Sequence, residues 1–418
     1  MPTTTKDAAR EALVAALGAE CVRDATNTDA VSGVRPHWVS TVDGTERTSV
    51  AMKVAAEHGL RMVPKGSGSK LDWGSAPEAV DLLLDVSAAK GIVDHAAGDL
   101  VVHALAGTPI AEVNNTVRAA GQQLAIDQPL PTATLGGIIA TGTAGPCRHL
   151  FGGVRDLLVG ITVVRADGTV TTAGGKVVKN VAGYDLGKLY TGSFGTLGVI
   201  TEAVFRLHPV AAEHRWITVT TDAPATAATA ADIVRHSQAM PTAIELDRPE
   251  PAGPITICAQ IEGRPNATHD RAVELAAAIG HGAEVLDQAP SWWGRYPFDP
   301  VGGIGLRLGA EPTALPRVLS GAQEAAAASG LPLAIRGAAG LGVLNAGLPG
   351  DTDPAAVVEL VKALRTGCDY AVLVRAPKDA AIDPWGPIAP GLLALMRRTK
   401  DQFDPEHRLG PGRFVGGI

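Results

Sequence analysis

Four clusters of glycine and other small residues lie close together in the chain and could hold one large phosphate-bearing ligand. They occupy residues 63–74 (VPKGSGSKLDWG), 131–145 (PTATLGGIIATGTAG), 174–185 (GGKVVKNVAGYD) and 192–200 (GSFGTLGVI). Residues without bulky side chains let successive backbone N–H groups converge on a single anion. Four such clusters are hard to explain as separate loops, whereas a diphosphate ligand threaded between two subdomains accounts for all of them.

Two details of these clusters narrow the chemistry. Lys65 and Lys70 add positive charge to the first cluster. In the second, Thr132 or Thr134 could cap a short helix beginning near Leu135, whose positive end would attract a phosphate. The GxGxxG spacing of a dinucleotide-binding Rossmann fold and the GxxxxGK[ST] spacing of a P-loop are both missing from the first cluster. We therefore expect a diphosphate ligand that is held by neither of these folds.

The bulk composition excludes several classes of protein. The chain has 418 residues, of which 46% are hydrophobic and 19% charged, so it has enough apolar material for two or three domains. Its net charge of −7 argues against a general binder of nucleic acid or membrane surfaces, since both favour a basic face. With neither a signal-peptide pattern nor an apolar run long enough to cross a bilayer, we expect a soluble, cytoplasmic protein that could still sit on a membrane complex.

Metal ligation has no support from local spacing. Cys21, Cys147, Cys258 and Cys368 are scattered singly and form no CxxC pair. The 11 histidines never fall into HxH, HxxxH or HExxH spacing. We therefore predict no metal ligands, neither for zinc nor for an iron–sulfur cluster.

The order of the predicted elements indicates an α+β protein. Residues 1–212 hold an N-terminal helix and then short strands between glycine-dense turns, with Asp167-Gly168 marking a hairpin. Residues 213–384 repeat a β-α-β-β-α-β order twice, which predicts one broad antiparallel sheet built from two ferredoxin-like units, with helices on one face. Residues 385–418 hold a basic helix that we expect to pack back on the first domain.

Several segments resemble the vanillyl-alcohol oxidase/p-cresol methylhydroxylase (PCMH) flavoproteins. PKGSGSKLDWG is similar to their first phosphate loop, and TLGGIIATGTAG with GGVRDLLVGITVVRADG to their second phosphate segment and hairpin. GSFGTLGVITEAVFRLHP is similar to the segment that closes their FAD domain, and FDPEHRLGPGR to their closing motif, which usually has Asn where this chain has Gly410. GGKVVKNVAGYDLGKLYTGS resembles, more narrowly, the E-type FAD-binding subunits of glycolate oxidase. The resemblance implies a PCMH-type FAD-binding domain of two α+β subdomains, followed by a substrate or cap domain.

The cofactor implied by this resemblance is FAD, with its pyrophosphate on backbone N–H groups of Gly66–Ser69 and Leu135–Gly137. Several relatives bind flavin covalently through a His in the first loop. This chain has Ser67-Gly68-Ser69 there, so we predict non-covalent FAD. The residues expected to bind the cofactor are Pro64, Lys65, Gly66, Ser67, Gly68, Ser69, Leu71, Thr134, Leu135, Gly136, Gly137, Ala140, Thr141, Arg148, Gly195, Gly198 and Ile200.

The resemblance also implies a dehydrogenase that oxidises a small 2-hydroxy acid such as glycolate or D-lactate, with the flavin N5 accepting the hydride. Such a reaction needs an anchor for the carboxylate and a base for the hydroxyl proton. Arginine suits the anchor, because its fork binds a carboxylate in two places. Arg336 is the preferred anchor and Arg375 the second choice, although either could be structural. Tyr184 and Lys179 could act at the isoalloxazine or pack on a helix surface, and Trp73 could contact substrate or belong to the core.

Three functions stay open at this point. The first is a flavin dehydrogenase, acting alone or as a subunit of a glycolate oxidase-like complex with D-type flavin and iron–sulfur partners. The second is a non-catalytic flavin-binding subunit that relays electrons or stabilises a D-type partner. It is favoured because the chain lacks the HGEHG-like metal segment that D-type subunits and D-lactate dehydrogenases carry beside the flavin. The third is a flavin oxidase acting on a sugar or lactone, which would need a wider and more polar pocket.

Overall fold

A computed structural model gives the arrangement of the chain and describes residues 5–175, 184–280, 282–377 and 380–418. In chain order its first elements are α1 (Thr5–Leu17), β1 (Val22–Asp24), β2 (Trp38–Thr41), α2 (Thr45–Glu57), β3 (Met62–Lys65), β4 (Leu82–Asp85), β5 (Ile92–Ala96), β6 (Val101–Leu105), α3 (Ile110–Arg118), β7 (Gln122–Gln123), α4 (Leu135–Thr141), α5 (Arg148–Phe151), α6 (Val154–Leu157), β8 (Leu158–Val164), β9 (Val170–Gly174), α7 (Leu186–Tyr190), β10 (Val199–Arg206) and β11 (His208–Pro209).

The second half of the chain continues the alternation of strands and helices. It contains β12 (Glu213–Thr221), α8 (Pro224–His236), β13 (Ala243–Arg248), β14 (Ile255–Gly263), α9 (Pro265–Ile279), β15 (Glu284–Leu286), β16 (Ile304–Gly309), α10 (Leu315–Ser329), β17 (Ala334–Ala338), β18 (Val343–Leu348), α11 (Pro354–Gly367), β19 (Tyr370–Arg375) and α12 (Pro390–Phe403). Over the described residues, none of these helices has both the length and the apolar character needed to span a membrane.

Two sheets organise the N-terminal half. The first has the order β1-β2-β4-β3, in which β2 and β3 run parallel to β4. It packs against α1 and α2 through fully buried side chains such as Leu13, Met52 and Leu82. The second sheet, β5-β6-β10-β8-β9, is wholly antiparallel. The hairpin predicted at Asp167-Gly168 is confirmed, because it joins β8 to β9 with Val164 opposite Val170.

The C-terminal half forms one broad sheet, which confirms the predicted repeat. Its eight strands have the order β15-β12-β14-β13-β17-β18-β16-β19, and all of its pairs are antiparallel. Each half of the sheet is one β-α-β-β-α-β unit, and the two units join where β13 pairs with β17. Alanine-rich α8 and α10, together with α9 and α11, bury their apolar sides against this sheet and leave its other face for the N-terminal half.

The C-terminal segment packs on the N-terminal half through backbone hydrogen bonds and a buried ammonium group. Gly410 donates to the Met62 carbonyl, and Met62 donates to the Arg408 carbonyl, which extends the first sheet by a parallel bridge. At the end of α12, the fully enclosed Lys400 ammonium donates to the carbonyls of Thr196 and Leu409 and to Asp404 Oδ2, at 2.8, 2.9 and 2.7 Å. This ammonium therefore ties the segment to the loop before β10.

Replacing Lys400 with methionine should destabilise the protein by about 3–5 kcal/mol, because it leaves the buried Asp404 carboxylate unpaired and two carbonyls without a donor. Urea denaturation followed by tryptophan fluorescence measures the change. Lys362→Met is the matched control, since Lys362 forms only an exposed pair with Glu359 and such pairs contribute less than about 1 kcal/mol. Equal midpoints for the two variants would contradict the prediction.

Candidate functional site

Three of the four predicted glycine clusters meet in one cleft of about 730 Å³ within the N-terminal half. Most of the remaining cluster, residues 174–185, lies outside the described residues. The loop after β3, the start of α4 and the loop leading into β10 form its walls. Of the residues predicted to bind the cofactor, all except Leu135 and Arg148 line this cleft. The lining residues that the prediction did not include are Lys70, Val86, Phe194, Val199 and Arg413.

Glycine is required where the walls of the cleft approach each other. A Cβ on Gly66 would lie 2.1 Å from Thr134 Oγ1, so the first loop and the cap of α4 are in direct contact. Gly195 has a φ of +75°, and a Cβ there would lie 2.7 Å from Pro64 Cγ. Larger residues at either position would push the walls apart.

The loop after β3 offers a run of unused hydrogen-bond donors. The backbone N–H groups of five consecutive residues, Gly66 to Lys70, donate to no acceptor in the part of the chain that the structure describes. Free N–H groups on a glycine-rich turn form an anion-binding concavity. This loop therefore has the donors that a pyrophosphate requires.

The second phosphate segment contributes fewer donors than predicted. Thr134 caps α4 as expected, with Gly137 N–H donating to its hydroxyl at 3.4 Å. Leu135 N–H, however, donates to the Thr108 carbonyl and Gly136 N–H to the Ala106 carbonyl, at 3.0 and 2.8 Å. The Leu135 side chain is buried in the core and does not line the cleft. Of the three predicted donors, only Gly137 N–H has a long, weak partner that an anion could replace.

The two lysines of the first loop have different environments. Lys65 Nζ binds Asp85 Oδ2 at 2.5 Å, so its charge is neutralised by the neighbouring strand. Lys70 is 8% exposed and lies 5.7 Å from the centroid of the Trp73 ring. Burial, assisted by the charge of Arg307, lowers the pKa of Lys70 to about 8. Lys70 is thus the lysine whose charge is available to a ligand in the cleft.

Arg413, from the closing motif, holds the first loop in place. Its Nη2 donates to the carbonyls of Leu71 and Trp73, at 3.1 and 2.8 Å, and the residue is only 3% exposed. Burial lowers the pKa of its guanidinium to about 10. The closing motif was apparent in the sequence, but nothing in it indicated that this arginine lines the cleft.

A second cavity of about 490 Å³ lies between the N-terminal half and the open face of the large sheet. Its polar lining consists of Arg148, Glu245, Arg295, Tyr296, Arg307, Arg336 and Asn345. We call it the interdomain cavity. It is next to the cleft, because the charge of Arg307 acts on Lys70 and the ring of Tyr296 contacts that of Trp73, with centroids 5.7 Å apart.

Strand register brings much of this polar lining together. Asp247, Arg336, Asn345 and Arg307 lie directly opposite one another on four adjacent strands, β13, β17, β18 and β16. Since side chains alternate between the faces of a strand, residues aligned in this way share one face of the sheet. The ladder crosses the junction between the two repeated units and faces the N-terminal half.

The arginines of the interdomain cavity differ in how their donors are used. Arg336, the predicted anchor, binds Asp247 Oδ1 through Nε at 2.8 Å and donates through Nη1 to the Tyr296 carbonyl at 3.1 Å. The guanidinium groups of Arg148 and Arg307, both half-buried residues, make no hydrogen bond or ion pair with any residue that the structure describes. Burial and the nearby charge of Arg307 lower the pKa of Arg148. These two guanidinium groups are therefore available to an anion.

Three other predicted active-site residues, Arg375, Trp73 and Tyr184, lie outside both cavities. Arg375 binds Asp72 and the carbonyls of Gly303 and Val301, so it joins the large sheet to the first loop. Trp73 is 1% exposed and packs in a small core between the halves. The Tyr184 side chain is 90% exposed. Lys179 falls outside the residues that the structure describes.

The comparisons with known proteins agree with this geometry. Residues 36–174 match the family model described as an FAD binding domain (FAD_binding_4), and they include the loop after β3 and the start of α4. This part of the chain is therefore an FAD-binding domain, and FAD is confirmed as the predicted cofactor. The cleft fits it, because unused N–H donors and the unpaired Lys70 line the same wall.

Solved structures confirm the PCMH-type fold over nearly the whole chain. p-Cresol methylhydroxylase with substrate bound superimposes with a TM-score of 0.76 at 15% identity, covering 98% of this chain and 96% of that one. Alkyldihydroxyacetonephosphate synthase gives a TM-score of 0.73 at 16% identity, covering 97% and 84%.

Relatives by sequence include two subunits of glycolate oxidase. The chain is 40% identical over 150 residues to glycolate oxidase subunit GlcE of Escherichia coli (strain K12), which covers 35% of this chain and 42% of that protein. It is 33% identical over 175 residues to subunit GlcD of Bacillus subtilis (strain 168), covering 42% and 37%. The matched region thus spans less than half the length of each relative.

Proposed function

We propose that the chain is an FAD-dependent dehydrogenase that oxidises a small 2-hydroxy acid, such as glycolate or D-lactate, and works as the E-like subunit of a glycolate oxidase-like complex. The names of the relatives support the reaction and the complex. In this proposal a D-type flavin subunit and an iron–sulfur subunit are the partners that take up the electrons, and the complex is cytoplasmic or peripheral to a membrane.

The observation that carries the proposal is the pair of unpaired guanidinium groups, Arg148 and Arg307, in the cavity beside the FAD cleft. Two half-buried like charges close to each other are unfavourable unless an anion lies between them. A guanidinium binds a carboxylate through two parallel hydrogen bonds. A substrate carboxylate held there would present its 2-hydroxyl beside the cleft in which the flavin binds.

The atoms and electrons of the reaction balance with the substrate, FAD, a base and an electron-accepting partner. The α C–H bond breaks and its electron pair leaves with the hydrogen as hydride, which the flavin accepts when bound. The hydroxyl O–H bond breaks, its proton goes to a base, and the C=O bond of the 2-oxo acid forms. The FAD that the loop Gly66–Ser69 would hold would supply the two-electron oxidation, and a partner subunit would take up the electrons.

Anaerobic visible spectroscopy of the purified FAD-loaded chain tests the proposal. We expect glycolate or D-lactate to bleach the flavin band without any partner, because both the anion site and the cofactor cleft belong to this chain. If dithionite reduces the flavin but no hydroxy acid reduces it, the proposal is contradicted and an electron-relay subunit is favoured. Bleaching by a sugar or lactone alone would favour an oxidase.

FAD is expected to be non-covalent, since Ser67, Gly68 and Ser69 supply no nucleophilic ring nitrogen at the first loop. Acid precipitation should release the yellow colour into the supernatant. Colour retained in the pellet would show a covalent bond and refute this part of the proposal.

A further inference from the structure

The interdomain cavity contains one carboxylate whose role the anion site does not explain. Glu245 lies in the middle of β13, is 5% exposed and lines the cavity. Its Oε1 is enclosed and has no hydrogen-bond partner among the described residues. The neighbouring Asp247, by contrast, pairs with Arg336 at 2.7 Å. A buried carboxylate oxygen without a donor costs free energy, so a donor brought into the cavity by a ligand, such as a substrate hydroxyl, would be stabilised there.

The charges around Glu245 come from several elements. Asp127, in the segment before α4, raises the Glu245 pKa, whereas Arg148 on α5 and Arg336 on β17 lower it. The thiols of Cys147 and Cys258 also lie within electrostatic range. Burial is the largest influence; with Asp127 it outweighs the two arginines and raises the pKa of Glu245 to about 8. Both protonation states of Glu245 are therefore accessible near neutral pH, which suits a group that exchanges a proton during a reaction.

The cavity offers few other proton acceptors. Apart from Glu245, the lining residues that titrate are the arginines, which stay charged, and Tyr296. Burial raises the pKa of Tyr296 to about 12, so its hydroxyl is protonated at neutral pH and is a poor base. An acid anchored by its carboxylate on Arg148 would have its 2-hydroxyl within the same small cavity as Glu245.

We propose that Glu245 is the base that accepts the hydroxyl proton when a 2-hydroxy acid bound to Arg148 and Arg307 is oxidised. This assignment rests on the proposed function. The O–H bond breaks as the C=O bond forms, and the proton ends on the Glu245 carboxylate. The hydride goes to the flavin, so the product is the 2-oxo acid and no further oxidant is needed in this half-reaction.

The pH dependence follows from the form that reacts. Only the ionised carboxylate accepts a proton, so the rate of flavin reduction should rise with pH up to about 8, where Glu245 titrates, and level off above it. A wild-type rate that is flat between pH 6 and 9 would contradict the assignment whether or not any variant folds.

Stopped-flow flavin reduction of the FAD-loaded protein under anaerobic conditions is the direct experiment, with Glu245→Gln compared to wild type. Loss of a general base costs about 10²–10⁴-fold in rate. We expect a loss in that range, disappearance of the pH-dependent limb, and a dissociation constant for oxalate within a few-fold of wild type. Glu262→Gln is the matched control, because it makes the same change on the adjacent strand β14. Burial also raises the pKa of the Glu262 carboxyl, to about 7. Glu262 does not line the cavity.

The outcomes separate the two proposals. Glycolate and D-lactate could reduce the flavin at similar rates in the wild type and in Glu245→Gln. This result would overturn the role of Glu245 and leave the proposed function standing. A wild-type flavin that no hydroxy acid reduces would overturn both. Equal losses in Glu245→Gln and Glu262→Gln would show a general effect of the buried charges and would also overturn the assignment.

Discussion

Flavin reduction by glycolate or D-lactate should fall about 10³-fold in kcat/KM when Arg148 and Arg307 are both changed to methionine. Each guanidinium is expected to contribute about 2 kcal/mol through charge-assisted hydrogen bonds to the substrate carboxylate, and about 1.4 kcal/mol corresponds to a factor of ten. Methionine keeps much of the length and apolar contact of the side chain and removes only the charge and the donors. Because neither guanidinium group bonds to a described residue, the fold should lose little stability.

The kinetic pattern identifies the cause of this loss. Removal of a ground-state anchor raises KM, whereas misplacement of the substrate relative to the flavin also lowers kcat. Arg155→Met is the matched control, because Arg155 lies nearby on α6 but is exposed and lines neither cavity. An unchanged kcat/KM in the double variant would show that the carboxylate binds elsewhere, and Arg336 would then be the next candidate.

The second large effect is expected at Gly137. A valine there should lower the affinity for FAD by more than about 10²-fold. Its side chain would occupy space that the bound cofactor needs, and such overpacking costs several kcal/mol. A Cβ at Gly137 would lie 3.2 Å from Thr134 Oγ1, so the Thr134 side chain would have to shift by a few tenths of an ångström. The rest of the valine side chain would project into the cleft.

Gly321→Val is the control for this substitution. Gly321 lies inside α10, and a Cβ there would meet nothing within 4 Å, so it tests the cost of valine in a helix without a ligand nearby. Fluorescence titration of the apoproteins with FAD gives the two affinities, and thermal melts without FAD compare their stability. Equal affinities would mean that the pyrophosphate does not lie against α4.

The cofactor cleft could be predicted from the sequence because its walls are short segments that each carry a local signal. Small residues concentrated in the first loop, in α4 and before β10 predicted nearly the whole lining. Phe194 and Arg413 were missed as lining residues because a bulky side chain carries no such signal, and Lys70 was predicted only to add charge to the loop. The hydrogen bonds that occupy Leu135 and Gly136 were also hidden, since they depend on where the loop between β6 and α3 passes.

The interdomain cavity could not be predicted in the same way. Periodicity predicted the two repeated units, but it does not tell which strands pair across their junction or which face meets the N-terminal half. The pairing of β13 with β17 sets Asp247 opposite Arg336 and commits the predicted anchor to an ion pair. Arg148 and Arg307 come together only through the packing of the two halves. The sequence therefore assigned Arg148 to the cofactor and gave no signal for Arg307.

The central claim is that an anion site and the flavin lie side by side within this one chain. Titration of the oxidised, FAD-loaded protein with oxalate, followed by its visible spectrum, tests this claim without turnover, since oxalate is a carboxylate with no C–H bond to break. We predict a saturable shift of the flavin band in the wild type, and no shift in the variant that lacks Arg148 and Arg307. A flavin band that stays unchanged while calorimetry shows oxalate binding would place the anion site away from the flavin and contradict the account.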